Sequence, residues 1–441
     1  MTPKLPLHWQ MSRVEEISQV VAMGPFGSSI KVDTFAPDGV PVISGQHLQG
    51  FKIDDAVGYN FITREHADRL LKANVKGGDI IFTHAGSIGQ VAMVPHDAAY
   101  DRYVISQRQF YMRCDLRKAI PEYIVAYFKS PAGQHALLAN SSQVGVPSIA
   151  RPVTYLRSVS IPLPPLHEQR DVAGVLGALD EKIAQTRRTA LRLQRLSQAV
   201  FRAWFVDFEA VKAKTVGATS FPSLPQRIFD ALPARFIDSD IGPLPESWQV
   251  KAIGDVVTLK GGGTPSTKNP EYWDGEHSWA TPKDMSRLSH PVLLETERRI
   301  TDAGLNSISS DMLPVGTVLM SSRAPVGYLA IAAVPTAINQ GFIAMMCDGP
   351  LPPTYVLNWA FMSMDTIKAH ASGTTFPEIS KKSFRPLPVV LPTLDVIDAY
   401  QEIAGPLFDL LTASVRETEQ LRQTRDYLLP KLLSGRVRIR S

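Results

Sequence analysis

The chain repeats itself. Ile161-Pro162-Leu163-Pro164-Pro165-Leu166 returns 228 residues later as Val389-Val390-Leu391-Pro392-Thr393-Leu394, and the same shift carries Leu193 onto Leu421 and Val200 onto Leu428. Upstream the match persists with a drifting shift. Pro6-Leu7-His8-Trp9 answers Pro245-Glu246-Ser247-Trp248 at 239, Gly89 answers Gly327 at 238, and Gln107 answers Gln340 at 233. A period this long marks a duplicated domain, not a solenoid unit. The 441 residues must therefore fold as two like halves. Within each half, insertions and deletions fall upstream, while the downstream segment keeps a constant length.

The bulk composition excludes little. With 44% hydrophobic and 20% charged residues, the chain resembles an ordinary globular protein. No run of 18 apolar residues offers a membrane-spanning helix. Lys4 is followed by no apolar stretch, so no secretory leader is expected. The net charge of +4 is compatible with nucleic acid. The two cysteines, Cys114 and Cys347, are repeat-equivalent, so they belong to different copies of one fold and are expected not to pair. Free thiols fit a reducing cytoplasm. Two cysteines supply too few ligands for a zinc site.

Each half reads in two parts. The upstream part is short strands and turns. Gly78-Asp79-Ile80-Ile81-Phe82 and Gly316-Thr317-Val318-Leu319-Met320 are β-rich runs opened by glycine. A small-residue loop follows each (83–89 and 321–327), then a second apolar strand at 90–94 or 328–333. Short helices are expected at 121–130 and 353–364, each with proline near its start. This part predicts an α+β domain with a mostly antiparallel, curved sheet. The downstream part predicts one long helix. From Leu166 to Phe205 there is no proline, and Val172, Leu179, Thr186, Leu193 and Val200 recur every seven residues. A second series, Leu176, Ile183, Ala190, Ser197 and Trp204, lies four residues on, which is heptad spacing. The second half repeats it with Tyr400, Leu407, Ser414, Leu421 and Leu428, and with Ala404, Leu411, Thr418, Arg425 and Leu432. Forty residues at 1.5 Å give roughly 60 Å of helix. Two such helices with matching apolar stripes are expected to pair as an antiparallel coiled coil. The domain reading is 1–165 and 244–391 for the two sheet-bearing parts, 166–212 and 392–441 for the helices, and 213–243 for a linker.

Several motifs invite catalytic readings. Asn269-Pro270-Glu271-Tyr272 has the wrong third residue for the base-holding loop of an adenine methyltransferase, and reads better as an Asn-Pro turn. Gly261-Gly262-Gly263-Thr264-Pro265-Ser266 lacks the Gly-Lys-Ser/Thr ending of a phosphate cradle and reads as a mobile loop. Asp180-Glu181-Lys182 has nuclease-like residue types but sits mid-helix, where a charge run is a solvated face. The histidines do not cluster at metal-ligand spacing.

At this point the residues resemble a known family. The hinge Ile161-Pro162-Leu163-Pro164-Pro165-Leu166-His167-Glu168-Gln169 is similar to the start of the central helix of type I restriction–modification specificity subunits. The helix exit, Leu196 to Phe208, resembles the same family. So do the restart at Gly242-Pro243-Leu244-Pro245-Glu246-Ser247-Trp248 and the ending Leu428-Leu429-Pro430-Lys431-Leu432-Leu433-Ser434-Gly435. The second hinge, Thr393-Leu394-Asp395-Val396-Ile397, departs from it by lacking the Glu-Gln pair.

The resemblance implies a non-catalytic DNA-reading subunit. Two target recognition domains would each read half of a split, asymmetric site on double-stranded DNA. The paired helices would set the spacing and dock two methyltransferase subunits, with restriction/translocase subunits joining them. No cofactor is expected in this chain; S-adenosylmethionine, ATP and Mg would sit on the partners. Reading needs phosphate contacts for register and base-edge contacts for sequence. Candidate residues in the first copy are Ser28, Ser29, Lys31, Gln46, His47, Thr83, His84, Ser106, Gln107 and Gln143. In the second copy they are Thr264, Ser266, Lys268, Thr281, Lys283, Asp284, Ser321, Ser322, Arg323, Asn339, Gln340, Thr374 and Thr375. The copies differ at these places, His47 facing Asp284 and Ala85 facing Arg323, as expected if the halves read different sequences. Two other functions stay open on the residues alone: a stand-alone sequence-specific DNA-binding regulator, and a self-contained DNA methyltransferase with a degenerate motif.

Overall fold

The computed structural model describes residues 5–439 apart from 26, 28, 56, 143, 144, 223 and 374–376. The chain divides into two units. The first comprises Met1–Gln185 with Thr418–Ser441, and the second Thr186–Glu417. Each unit is thus built from one sheet-bearing part, one end of its own long helix and the opposite end of the other.

The first unit is organised around a four-stranded antiparallel sheet whose order is Ser18–Met23, Gln109–Cys114, Ile80–Thr83, Val91–Met93. The Ile80–Thr83 strand is buried along its whole length, as its unbroken apolar run requires. The second unit repeats the order with Thr258–Lys260, Phe342–Met346, Val318–Ser321 and Leu329–Ala332. Even the register is kept: Ile80 faces Met93, and Val318 faces Ile331. A tight turn ends each inner strand at Gly89 (φ +87°) or Gly327 (φ +107°). A Cβ at these glycines would press only on the movable ends of Gln134 and Met364, so it is the left-handed backbone that demands glycine.

Beside each main sheet lies a second one. In the first unit it contains a parallel pair, Val40–Ile43 with Tyr103–Ile105. In the second unit Trp273–Ala280 pairs in parallel with Thr336–Ile338. The expected antiparallel character holds for most ladders, and these parallel pairs are an addition. A two-stranded closure completes each copy. Gln10–Arg13 pairs with Ser160–Leu163, and Gln249–Ala252 pairs with Pro388–Leu391, so the strand leading into each long helix is stitched to the start of its own domain. The helices Pro121–Lys129 and Pro353–Met362 clamp this closure: Tyr123 donates its hydroxyl to Pro162 O (2.9 Å) and Tyr355 to Val390 O (2.7 Å).

The long helices run Leu166–Phe205 and Leu394–Leu433. In the first unit, Val172, Ala173 and Leu176 share a buried cluster with Leu429, Leu432 and Leu433. In the second, Phe201, Trp204 and Phe205 pack with Tyr400 and Ala404. The start of each helix therefore meets the end of the other, so the expected pair is antiparallel. Ile183 and Leu411 are also buried, while Leu179, Leu193, Val200, Leu407, Leu421 and Leu428 are half-buried along the stripe. Two polar seam residues have partners: Asn358 donates to the Ser197 hydroxyl (3.0 Å), and Arg425 pairs with Asp180 (3.1 Å), while the Thr418 hydroxyl is buried without one among the described residues.

The segment read as a linker is folded. It contains the helix Gln226–Ala231 and the strand pair Phe236–Ile237 with Leu244–Pro245, preceded by the helix Glu209–Thr215. Leu224, Ile228, Phe229 and Leu232 join the core of the second unit. Its scattered apolar residues carry enough area to seat it, at roughly 1.5–3 kcal/mol for each fully buried side chain.

The hinge pair missing from the second copy works inside the molecule. Gln169 is buried; its Oε1 accepts from Ile120 N (2.8 Å), and its Nε2 donates to Lys118 O (3.0 Å) and Pro164 O (2.8 Å). Glu168 accepts from the Trp9 indole (3.0 Å) and contacts His8. Partial burial would raise the Glu168 carboxyl, but these two bonds outweigh it and hold the pKa below the usual range. In the second copy Val396 and Ile397 take these positions and are buried, so an apolar contact replaces the polar clamp.

Candidate nucleic-acid interface

In the first unit the loops after Ile43 and after Ile105 meet because their strands are parallel neighbours. Between them lies a cleft of about 220 Å³ lined by Ile30, Phe35, Ser44, Gln46, His47, Asn60, Ser106, Gln107 and Arg108. The sequence candidates Gln46, His47, Ser106 and Gln107 are thus brought together. Gln46 and Gln107 are exposed. His47 is buried, with its ring stacked on Tyr59 at 4.2 Å. Its Nδ1 accepts from Ser44 N (3.0 Å), which requires the neutral ring protonated on Nε2. Burial lowers its pKa, against the pull of Asp54 and Asp55. Ser106 donates to the Gln109 side chain.

The other first-copy candidates are spread around this cleft. Lys31 is exposed and Ser29 half-buried, on either side of Ile30. Thr83 is buried and donates to Gln90 (3.1 Å). His84 is half-buried with its ring on Gln107 O (3.1 Å), and burial lowers its pKa too. Ser28 and Gln143 lie outside the described residues.

In the second unit a larger polar cleft of about 450 Å³ is lined by Lys260, Gly261, Gly262, Ser309, Ser322, Gln340, Glu378, Ser380 and Lys381. Ser322 and Gln340 are the sequence candidates among them. Thr264 adjoins, donating its hydroxyl to Gln340. The glycine loop read as mobile is held in place. Trp279 donates its indole N–H to Gly263 O (3.0 Å), and Trp273 donates to Ser266 O (3.1 Å). Gly262 lies so close to the strand before Asn339 that a Cβ would be 2.0 Å from Ile338 O. The glycines permit this approach and do not signal disorder.

Several second-copy candidates have their side chains turned inward. Asp284 is buried; its Oδ2 accepts from Thr281 N (2.8 Å) and the Thr281 hydroxyl (2.7 Å), and its Oδ1 from Glu297 N (2.8 Å). This is a capping box for the helix Pro282–Ser286. His47 does the same for the single turn Gly45–His47. The His47–Asp284 difference between the copies is therefore a difference between two caps. Ser321 is wholly buried, donating to Pro325 O (2.7 Å) and accepting from Tyr328 N (2.8 Å). The Asn339 carbonyl caps Gly341 N (2.9 Å), so its side chain is shared with the turn. Ser266, Lys268 and Lys283 are exposed, Lys283 pairing with Glu297 at 3.0 Å. Arg323 lies 3.9 Å from Glu378. Thr374 and Thr375 lie outside the described residues.

Sequence reasoning missed Arg108, Asn60, Lys260, Ser380 and Lys381, which line the clefts beside the predicted amides. The charge pair Lys381-Lys382 and the run Gln107-Arg108-Gln109 were the available signals. Among the described residues, no group of three or more His, Cys, Asp or Glu is placed to hold a metal ion, and no helix is long and apolar enough to cross a membrane. Both cysteines are free thiols; burial pushes Cys114 up strongly and Cys347 to about 12. The motif Asn269 to Tyr272 is a single helical turn capped by the Asn269 side chain on Glu271 N (3.1 Å).

Known proteins resemble this chain along nearly its full length. The family model described as type I restriction modification DNA specificity domain matches twice, at residues 6–194 and 245–423. The type I restriction enzyme MjaIX specificity subunit of Methanocaldococcus jannaschii is 34% identical over 191 residues, which is 43% of this chain and 44% of that protein. The match thus spans less than half of that relative. The type I restriction enzyme HindI specificity subunit of Haemophilus influenzae is 22% identical over 416 residues, 83% of this chain and 88% of that one. Among solved structures, the type I restriction–modification system S subunit from M. genitalium shares the fold, with a TM-score of 0.59 at 15% identity, covering 98% of this chain and 99% of that one.

Proposed function

The chain belongs to the type I restriction–modification DNA specificity family, and from that premise we propose that it reads a bipartite, asymmetric site on double-stranded DNA, one half per unit. The observation that carries this reading is a polar cleft in each unit, the two sharing the repeat-equivalent amides Gln107 and Gln340. In each unit, loops at the strand ends gather amide and cationic side chains around one opening: exposed Gln46, Gln107 and Arg108 in the first, exposed Gln340 and Lys381 with half-buried Lys260 in the second. Amides pair bidentately with adenine edges, and lysine and arginine hold phosphates or guanine. Lys31, Ser266 and Lys268, exposed beside these openings, serve as phosphate contacts.

The inward-facing candidates act one step back. Thr83, His47, Asp284 and Ser321 shape the loops that present the others. The paired helices dock two methyltransferase subunits, and restriction/translocase subunits join for cleavage. Adenine methylation belongs to the partner, which carries S-adenosylmethionine; ATP and Mg belong to the translocase.

The test is reconstitution. The full chain alone should transfer no methyl group to DNA, and with methyltransferase subunits it should direct methylation to one split sequence, seen by methylome sequencing. Methyl transfer by the chain alone, or failure ever to co-purify with a methyltransferase subunit, would sink the reading.

A further inference from the structure

In the first unit one carboxylate ties a recognition loop to both long helices. The loop His47–Asp54 is closed by Asp54 N donating to His47 O (3.1 Å). At its base sit Gln46 and His47, in the cleft; at its tip sits Phe51. The Phe51 amide donates to Asp180 Oδ2 on the first helix (3.0 Å). The other oxygen of Asp180 accepts from Arg425 Nη1 on the second helix (3.1 Å). Both charged side chains are less than one-fifth exposed. The Phe51 ring lies 5.7 Å from the Arg425 guanidinium and 5.7 Å from the Lys129 ammonium, and Lys129 reaches Gln49 O at 3.4 Å. The residue that the sequence places on a solvated face is the joint of the unit.

The second copy supplies an internal control. Phe51 corresponds to Pro291, because Met93 N donates to Phe51 O (2.8 Å) just as Ile331 N donates to Pro291 O (3.0 Å). Proline has no amide hydrogen to give. At the shift of 228, Asp180 corresponds to Phe408 and Arg425 to Ser197. Donor, acceptor and counter-charge are thus all absent together, and Val292, Ala190, Leu411 and Phe408 form an apolar contact there. One joint is hydrogen-bonded and ionic; the other is mainly hydrophobic and carries no ion pair among the described residues, its polar contact being His290 Nδ1 with Gln194 Oε1 at 3.4 Å.

We infer that Asp180 is a positioning residue for sequence reading by the first unit: it holds the loop that follows Gln46 in register with the helix pair, while the second unit sets its loop mainly by apolar packing at Val292. This rests on the DNA-reading function proposed above. The two fail separately. A wild-type complex that methylates no split site removes the function, whereas the inference is decided by variants of a complex that does.

The experiment scores methyl transfer by the full complex on duplexes carrying one mismatch in either half of the site. Asp180→Ala should reduce discrimination in one half only, by roughly 10-fold, the size of one hydrogen bond to a charged group. Val292→Ala should reduce it in the opposite half. Asp180→Asn keeps an oxygen for the Phe51 amide and should restore most of the loss, which a merely structural role would not require. If Asp180→Ala does not assemble, Arg425→Gln is read instead, with the same one-sided loss expected. Equal loss in both halves, or none, in an assembled complex overturns the inference.

Discussion

Asp284 separates a residue that reads DNA from one that builds the reader. Its carboxylate accepts three hydrogen bonds, two from backbone amides and one from a hydroxyl, at 2.7–2.8 Å, and the residue is 8% exposed. Asp284→Ala removes the acceptor for all three donors. A hydrogen bond to a charged group is worth about 1.5–3 kcal/mol, and a buried orphan donor costs about 1–3 kcal/mol. The Thr281 hydroxyl can rotate toward another acceptor, so the two amides dominate and the net loss should be about 3 kcal/mol. In a domain of this size that lowers the thermal midpoint by roughly 6–12 °C. Asp284→Asn retains one oxygen and should lose about half as much. The measurement is urea and thermal unfolding of the full chain, followed by methylome sequencing of the complex below the shifted midpoint. The expected result is a weakened protein that methylates the same sequence. An unchanged midpoint with one altered base position would refute the reasoning, because the carboxylate would then face DNA and not the helix cap.

Other consequences follow from the same structure. Phe201 is buried with its ring 4.9 Å from Tyr355 and 5.2 Å from Phe205, so Phe201→Ala should cost about 3–5 kcal/mol in urea unfolding; a loss below about 1 kcal/mol would contradict the packing. Four residues inserted after Gln185 lengthen the first helix by about 6 Å, so the unread spacer of the methylated site should change by no more than roughly 2 base pairs. Altered half-site sequences at constant spacing would argue against helices that measure. Burial brings Lys129 down to about 8, with Asp180 pulling it up and Arg425 pushing it down. Its folded pKa lies below the unfolded value, so between the two the unfolded chain binds more protons and stability rises with pH. The urea midpoint should climb from pH 8 toward pH 10, and Lys129→Met should flatten that climb; identical profiles would exclude Lys129 as its source.

Much of the architecture was legible in residue order because it rests on local periodicity. The heptads place both helices, and glycine-bounded apolar runs place the inner strands, since each pattern has a backbone geometry of its own. The segment 213–243 was misleading for the opposite reason. Its prolines and serines describe a chain without long regular elements, yet Ile228 and Phe229 are almost wholly buried. The candidate interface was legible by loop and not by side chain. Gln46, Gln107 and Gln340 reach the clefts, whereas His47 lines one with its ring tied to Ser44 N, and Asp284 and Ser321 are spent on backbone groups. A short polar side chain near a turn satisfies either role, and composition does not distinguish them.

The sequence by itself determined that there are two copies of one domain, that each ends in a helix of equal length, and that the variable lengths lie in the sheet-bearing parts. A repeat is a comparison of the chain with itself and needs no coordinates. Only the tertiary structure decided how each copy is joined to the helices. Asp180 and Arg425 are 245 residues apart in the chain and share one ion pair, and Gln169 bonds the backbone at Lys118 and Ile120. Whether such groups are solvated or buried depends on what the far end of the chain brings against them. The two joints therefore became visible as different, one ionic and one mainly apolar, when the chain folded.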